Sequence, residues 1–146
     1  MSEENIEIVR RYYGVLDDVP ERYWAAPDTK FSESPLVEEV LPLLHPDAEW
    51  DAMHREQPYR GIEEALHGVE DWLEAGEEWR VQIEDLTDAG EGAVLAVLRV
   101  SIRGRGSRVP IDQRIFTVLT VSDGRIKGIA DYTERQDALK AAGLSR

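Results

Sequence analysis

The stretch AVLAVLRVSIRGRGSRVPIDQRIFTVLTVSDGRIKGIADYT, residues 93–133, decides the fold. Its first part alternates: Val94, Ala96, Leu98, Val100 and Ile102 share one side, and Leu95, Val97, Arg99, Ser101 and Arg103 the other. That period of two predicts a long strand over Ala93–Arg103. GRGS turns the chain back into a second strand, Val109–Val121, with Ile111, Ile115, Thr117, Leu119 and Val121 on one side and Phe116 and Val118 on the other. SDG turns it again into a strand over Ile126–Thr133. Upstream, Trp79, Val81 and Ile83 alternate with polar residues before the turn DAGEG, which adds a strand in front. Four antiparallel strands follow one another. Both faces of this sheet carry apolar residues, so two covers are needed. Three helices cover one face; a homodimer through the outer sheet face is the expected cover of the other.

The first half reads as helical. Ser2 can cap a helix with Glu3 and Glu4 at its positive end, and Ile6, Val9, Tyr13 and Leu16 recur at helical spacing. DDVPERYWAAPDTKFSESP interrupts it and reads as a long loop. Ser34-Pro35 starts a second helix with Leu36, Val37, Val40, Leu41 and Leu44 buried and Pro42 kinking its end. Asp47–Met53 reads as a short strand. Gly61 starts a third helix, with Ile62, Ala65, Leu66, Val69, Trp72 and Leu73 on one side and Gly76 ending it. Ala138–Ala142 closes the chain as a short helix capped by Gly143, with Leu144 packing back. Helices first and strands second give an α+β class in one domain over residues 1–146.

The net charge of −13 would repel a phosphate backbone, which argues against nucleic acid as a partner. Against that background, residues 99–114 hold five arginines (99, 103, 105, 108 and 114) and one acid, Asp112. This is either a solvated hairpin, an anion-attracting patch, or a surface for an acidic patch on a second subunit. Apolar runs are too short for a membrane span. MSEENIEIVRRYY lacks the basic start and apolar block of a signal peptide, and the chain has no cysteine, so a cytoplasmic protein without thiol chemistry is expected. His45, His54 and His67 all fall between residues 45 and 68, but their spacing matches no compact ligand motif, so no metal site is assigned. His45 reads as a residue at a helix end bonding free carbonyls, and His67 lies off the apolar stripe of its helix.

The order of elements, with ENIEIVRRYYGVL, LLHPDAEWD, YRGIEEAL, VSDGRIKGIADYTER and ALKAAGL, resembles the nuclear transport factor 2-like superfamily, also called SnoaL-like. The resemblance covers nearly the whole chain. It implies a cone: a strongly curved mixed or antiparallel sheet wrapped around three helices, the cystatin-like roll, enclosing a pocket. The segment 19–35 is longer than the usual connection there and would shape the pocket mouth. Enzymes of the superfamily include ketosteroid isomerases, which use a carboxylate as general base, and limonene epoxide hydrolases, which use an Asp-Arg-Asp set with a Tyr and an Asn. GRIKGIADYTE is similar to the hydrolase tail and places the catalytic aspartate on Asp131. The hydrolase arginine falls on Arg99; its other positions fall on Ser101, Trp50 and Ala52, where this chain departs from the pattern.

The resemblance therefore implies Asp131 and Arg99 as a catalytic pair or, equally, as a buried ion pair. A three-residue loop, Ser122-Asp123-Gly124, puts Asp131 inside the cone with Ile115 and Thr117; a two-residue loop puts it outside. Trp50, His54, Tyr13, Ser101, Gln113 and Thr117 are the candidates for holding a small, largely apolar or amphipathic molecule without a cofactor. Trp24, Trp72 and Trp79 read as core. Three functions stay open: a pocket for an apolar ligand; a cofactor-free cyclase, isomerase, dehydratase or hydrolase with Asp131 as acid or base; and an accessory domain with a filled pocket.

Overall fold

The computed structural model describes residues 2–24, 37–52, 56–104 and 110–143. His54, the Ser34-Pro35 helix start, Arg105, Arg108 and Leu144 lie outside the described residues, as do the side chains of Trp24, Trp72 and Trp79. The elements run α1 (Ser2–Trp24), α2 (Val37–Val40), a 3-10 turn (Leu41–Leu43), β1 (Leu44–Asp51), β2 (Tyr59–Arg60), α3 (Ile62–Ala75), β3 (Gly76–Gly90), β4 (Ala93–Gly104), β5 (Pro110–Ser122), β6 (Arg125–Tyr132) and α4 (Arg135–Ala141).

The six strands form one curved, unclosed sheet in the order β2-β1-β6-β5-β4-β3. It is mixed: β1 runs parallel to β6, and the other neighbours are antiparallel. α1 lies on the concave face against β3, β4 and β6, and α3 packs on β1, β2 and β3. The main core fills the space between them. Val94, Ala96, Leu98 and Val100 of β4 meet Val9, Tyr12, Tyr13 and Leu16 of α1, with Ile115 and Leu119 from β5 and Ile126 and Ile129 from β6. The alternation of β4 and β5 is thus realised as read.

Several expectations are corrected. α1 continues to Trp24, through the first part of the segment expected to be a loop, whose residues 25–35 lie outside the described residues. Pro20 removes one amide hydrogen but keeps a helical φ, so one lost bond does not end a long helix. α2 gives way to the 3-10 turn at Leu41-Pro42-Leu43, as a proline so placed favours. Leu44 is buried but already in β1, whereas Leu41 is exposed. His45 is therefore on a strand, and its Nδ1 accepts the backbone N–H of Asp47 at 3.0 Å rather than donating to a helix carbonyl.

The outer face is not left bare. α4 lies across it, and Leu95, Val118 and Ala138 form a second small core with Phe116, Tyr132, Leu139 and Ala142 against them. That corrects the premise that the face opposite the three helices has no cover within one chain. Past α4 the outer face is polar. Arg99 pairs with Asp112 and Arg114 with Glu84. A shallow groove of about 310 Å³ runs beside α4, between Glu49 and Asp51 on one side and Val118, Ala130 and Tyr132 on the other.

The β5–β6 hairpin decides which residues reach the concave face. Ser122 pairs with Arg125, so the loop is the two-residue Asp123-Gly124, with φ of 55° and 74°, both left-handed as a type I′ turn requires. Such a loop alone would turn Asp131 outward. The register then shifts: Val121 pairs with Ile126, but Thr120 pairs with Gly128, leaving Lys127 as a bulge. The extra residue restores parity, and Asp131 pairs with Thr117 on the concave side.

Candidate functional site

Thr117 is fully buried at 0% exposure, under α1, and its hydroxyl donates to Asp131 Oδ1 at 2.8 Å across the strand pair. On the other side of β6, Trp50 of β1 stands level with Ile129 and shares its face. Its indole Nε1–H donates to Asp131 Oδ2 at 2.8 Å. Both carboxylate oxygens of Asp131 thus accept from fixed donors. Trp50 is backed by Tyr59, its cross-strand partner, with ring centroids 5.1 Å apart. The Tyr59 hydroxyl donates to Asp71 Oδ2 on α3 at 3.3 Å.

α1 supplies the remaining groups. Tyr12 and Tyr13 are both buried, edge to face, with ring centroids 5.0 Å apart. Tyr13 is hydrogen-bonded to the Thr117 hydroxyl. Burial first, and the negative charge of Asp131 second, push the Tyr12 and Tyr13 phenols well above the usual tyrosine range; the Thr117 bond opposes this for Tyr13 without overcoming it. Both stay protonated donors at neutral pH. Asp131 and Trp50 are only partly buried.

The structure gathers Asp131, Trp50, Thr117 and Tyr13 from the residues singled out in sequence. Tyr12 was missed; its signal was its place three residues after Val9, at the margin of the helical stripe. Arg99 and Ser101 are not part of the cluster, which is a correction. Arg99 sits on the outer face and donates to both Asp112 oxygens, at 3.0 and 2.7 Å. That bond holds the Asp112 carboxyl below the usual carboxylate range, with Ser101 hydrogen-bonded to the same carboxylate. Gln113 shares the concave face, opposite Val100, but is exposed and four residues from Thr117, about 13 Å along the strand. His67 is on α3, with Nδ1 3.3 Å from Glu70 Oε2. Among the described residues, no three His, Asp or Glu side chains gather as metal ligands would. Nor, among them, is any helix long and apolar enough to cross a membrane.

A curved open sheet closed by α1 and α3 over an inward carboxylate defines a cone-shaped domain with its candidate site on the concave side. Residues 24–129 match the model of the SnoaL-like domain, and the chain belongs to that family. Solved structures agree on the fold. The protein Bal32a from a soil-derived mobile gene cassette superposes with a TM-score of 0.72 at 16% identity, over 99% of this chain and 98% of that one. An M. tuberculosis LEH-like epoxide hydrolase gives 0.66 at 18% identity, over 97% and 90%. SalBIII, an epoxide hydrolase/cyclase-like enzyme of pyran ring formation in polyether salinomycin, gives 0.70 at 14% identity, over 92% and 94%. No curated protein sequence matches the chain.

Proposed function

We propose that the concave face binds a small, largely apolar molecule whose polar end meets Asp131 and the α1 tyrosines. The observation that supports this is a carboxylate held by two donors beside buried, protonated phenols, within an otherwise apolar wall. Acceptor and donors side by side suit a hydroxyl or carbonyl oxygen, and the surrounding core residues suit a hydrocarbon body. The test is native mass spectrometry of freshly purified protein, with gentle release of any bound molecule, followed by tryptophan-fluorescence titration with a panel of apolar ketones and alcohols. Saturable binding that Asp131→Asn weakens is the expected result. No binding across the panel, or equal binding by the variant, would refute it.

Asp131→Asn is a fair probe because the network can reverse. An amide oxygen toward Trp50 still accepts, and an amide N–H toward Thr117 donates to that hydroxyl's oxygen. The fold is therefore expected to persist.

A second reading is that Asp131 moves a proton as general acid or base in a cofactor-free isomerisation, cyclisation, dehydration or hydrolysis. What favours it is the pre-set position of the carboxylate, which needs no rearrangement to meet a ligand. Arg99 has no part in it. On this reading Asp131→Asn abolishes turnover while retaining some affinity; an unchanged rate would end it. The homodimer through the outer face is also a proposal. Light scattering decides it: twice the 16.6 kDa of one chain supports it, and a monomer refutes it.

A further inference from the structure

We infer that Gly68 is a positioning residue for the candidate site: its missing side chain seats the Trp50–Tyr59 pair on α3 and aims the Trp50 N–H at Asp131. The functional meaning of this rests on the reading of Asp131 as the polar end of a ligand site; the geometry does not.

Gly68 stands at the middle of α3, where glycine weakens a helix relative to alanine. Its φ is not left-handed, so backbone freedom is not what the position requires. Space is. A Cβ built there would lie 2.6 and 2.8 Å from Trp50 Cζ3 and Cε3, and 2.8 Å from Tyr59 Cε2. Those distances are well inside van der Waals contact.

Neither ring can step aside at no cost. Trp50 is tied to Asp131 at 2.8 Å, and Tyr59 to Asp71 at 3.3 Å. The two rings are also cross-strand partners in the β1–β2 pair. Asp71 lies one turn beyond Gly68 on the same face of α3. The helix therefore grips the aromatic pair at two points: by close approach at Gly68 and by a hydrogen bond at Asp71. Movement of Trp50 away from α3 swings its N–H relative to Asp131. The size of residue 68 thereby sets where this wall of the site stands.

The test uses urea unfolding and the indole N–H resonances of the folded protein, with Trp50 assigned through Trp50→Phe. The variants are Gly68→Ala, Trp50→Leu and the double variant. Helix propensity alone would make Gly68→Ala stabilising; the close contact predicts the opposite sign. The expected result is a lower urea midpoint for Gly68→Ala and a shifted Trp50 indole resonance. With Trp50→Leu, Tyr59 gains room to move, and the same alanine is then neutral or stabilising. A raised midpoint for Gly68→Ala, or an unmoved Trp50 resonance, would overturn the inference. Where Gly68→Ala fails to fold, a double variant that folds supports it, and one that does not overturns it. No ligand enters these measurements, so this inference and the ligand-binding reading fail separately.

Discussion

Replacing Thr117 by valine tests whether the cluster is a connected network. The change keeps shape and removes one hydroxyl from a fully buried site. It takes the 2.8 Å donor from Asp131 Oδ1 and a hydrogen-bond partner from the Tyr13 hydroxyl. A hydrogen bond to a charged group contributes roughly 1.5–3 kcal/mol, and a buried hydroxyl left without a partner costs roughly 1–3 kcal/mol. Against these stands about 0.8 kcal/mol for burying a methyl in place of the hydroxyl. The net expectation is a loss of about 2–5 kcal/mol. With a urea slope of about 2 kcal/mol per M, the midpoint falls by about 1–2.5 M at unchanged slope. The assay is equilibrium urea unfolding of wild type, Thr117→Val, Asp131→Ala and the double variant. Thr117→Val is expected to cost less once Asp131 is gone, because half of what it removes is already absent. A midpoint shift below about 0.25 M in the wild-type background, about 0.5 kcal/mol on that slope, would refute the network.

Arg99→Ala is expected to leave ligand binding and the Trp50 indole resonance unchanged, since its partner is Asp112 on the other face and the exposed pair adds little stability; binding measured beside Asp131→Asn checks this. Asp17→Ala is expected to destabilise by about 2 kcal/mol in urea unfolding, because Asp17 accepts from Arg80 Nε at 3.0 Å and from the backbone N–H of Val81 on edge strand β3 at 2.9 Å. The Tyr12 and Tyr13 phenols have pKa values raised above 10.0 in the folded chain, so the unfolded chain loses those protons first as the pH climbs. Stability is expected to be whole below about pH 10 and to fall above it. Ultraviolet titration should show these two ionising only as the protein unfolds; normal, reversible titration of all five tyrosines would contradict their burial.

How much of this was legible in the sequence depended on whether a short-range rule decided it. The alternation of β4 placed Leu98 inward and Arg99 outward, and the structure follows it. Alignment to the epoxide hydrolase pattern put Arg99 beside Asp131, against that alternation, and the alternation prevailed because moving Arg99 inward would expel Leu98 and Val100. The face of Asp131 stays open in the sequence between a three-residue and a two-residue loop; the structure has the two-residue loop and turns Asp131 inward by a bulge instead. The bulge at Lys127 is a register event between two strands, and apart from the neighbouring Gly128 nothing local announces it. The fit of Gly68 against Trp50 and Tyr59 was equally hidden, because it depends on the spacing between α3 and the β1–β2 pair. The path of α4 over the outer face is a tertiary choice that its own short apolar pattern leaves open.

The bulge at Lys127 also bears on how such a site can change over generations. Losing that one codon, with the hairpin otherwise intact, would exchange the faces of the strand beyond it. Ala130 and Tyr132 would then look into the cone, and Asp131 would look out. A hydrogen-bond-accepting carboxylate would be replaced by a phenol without any substitution at those positions. Descendants compared by aligned letters alone would seem to keep the aspartate while having lost it from the site. Hairpin length, counted turn to strand, is the quantity to compare when this aspartate is traced through related chains.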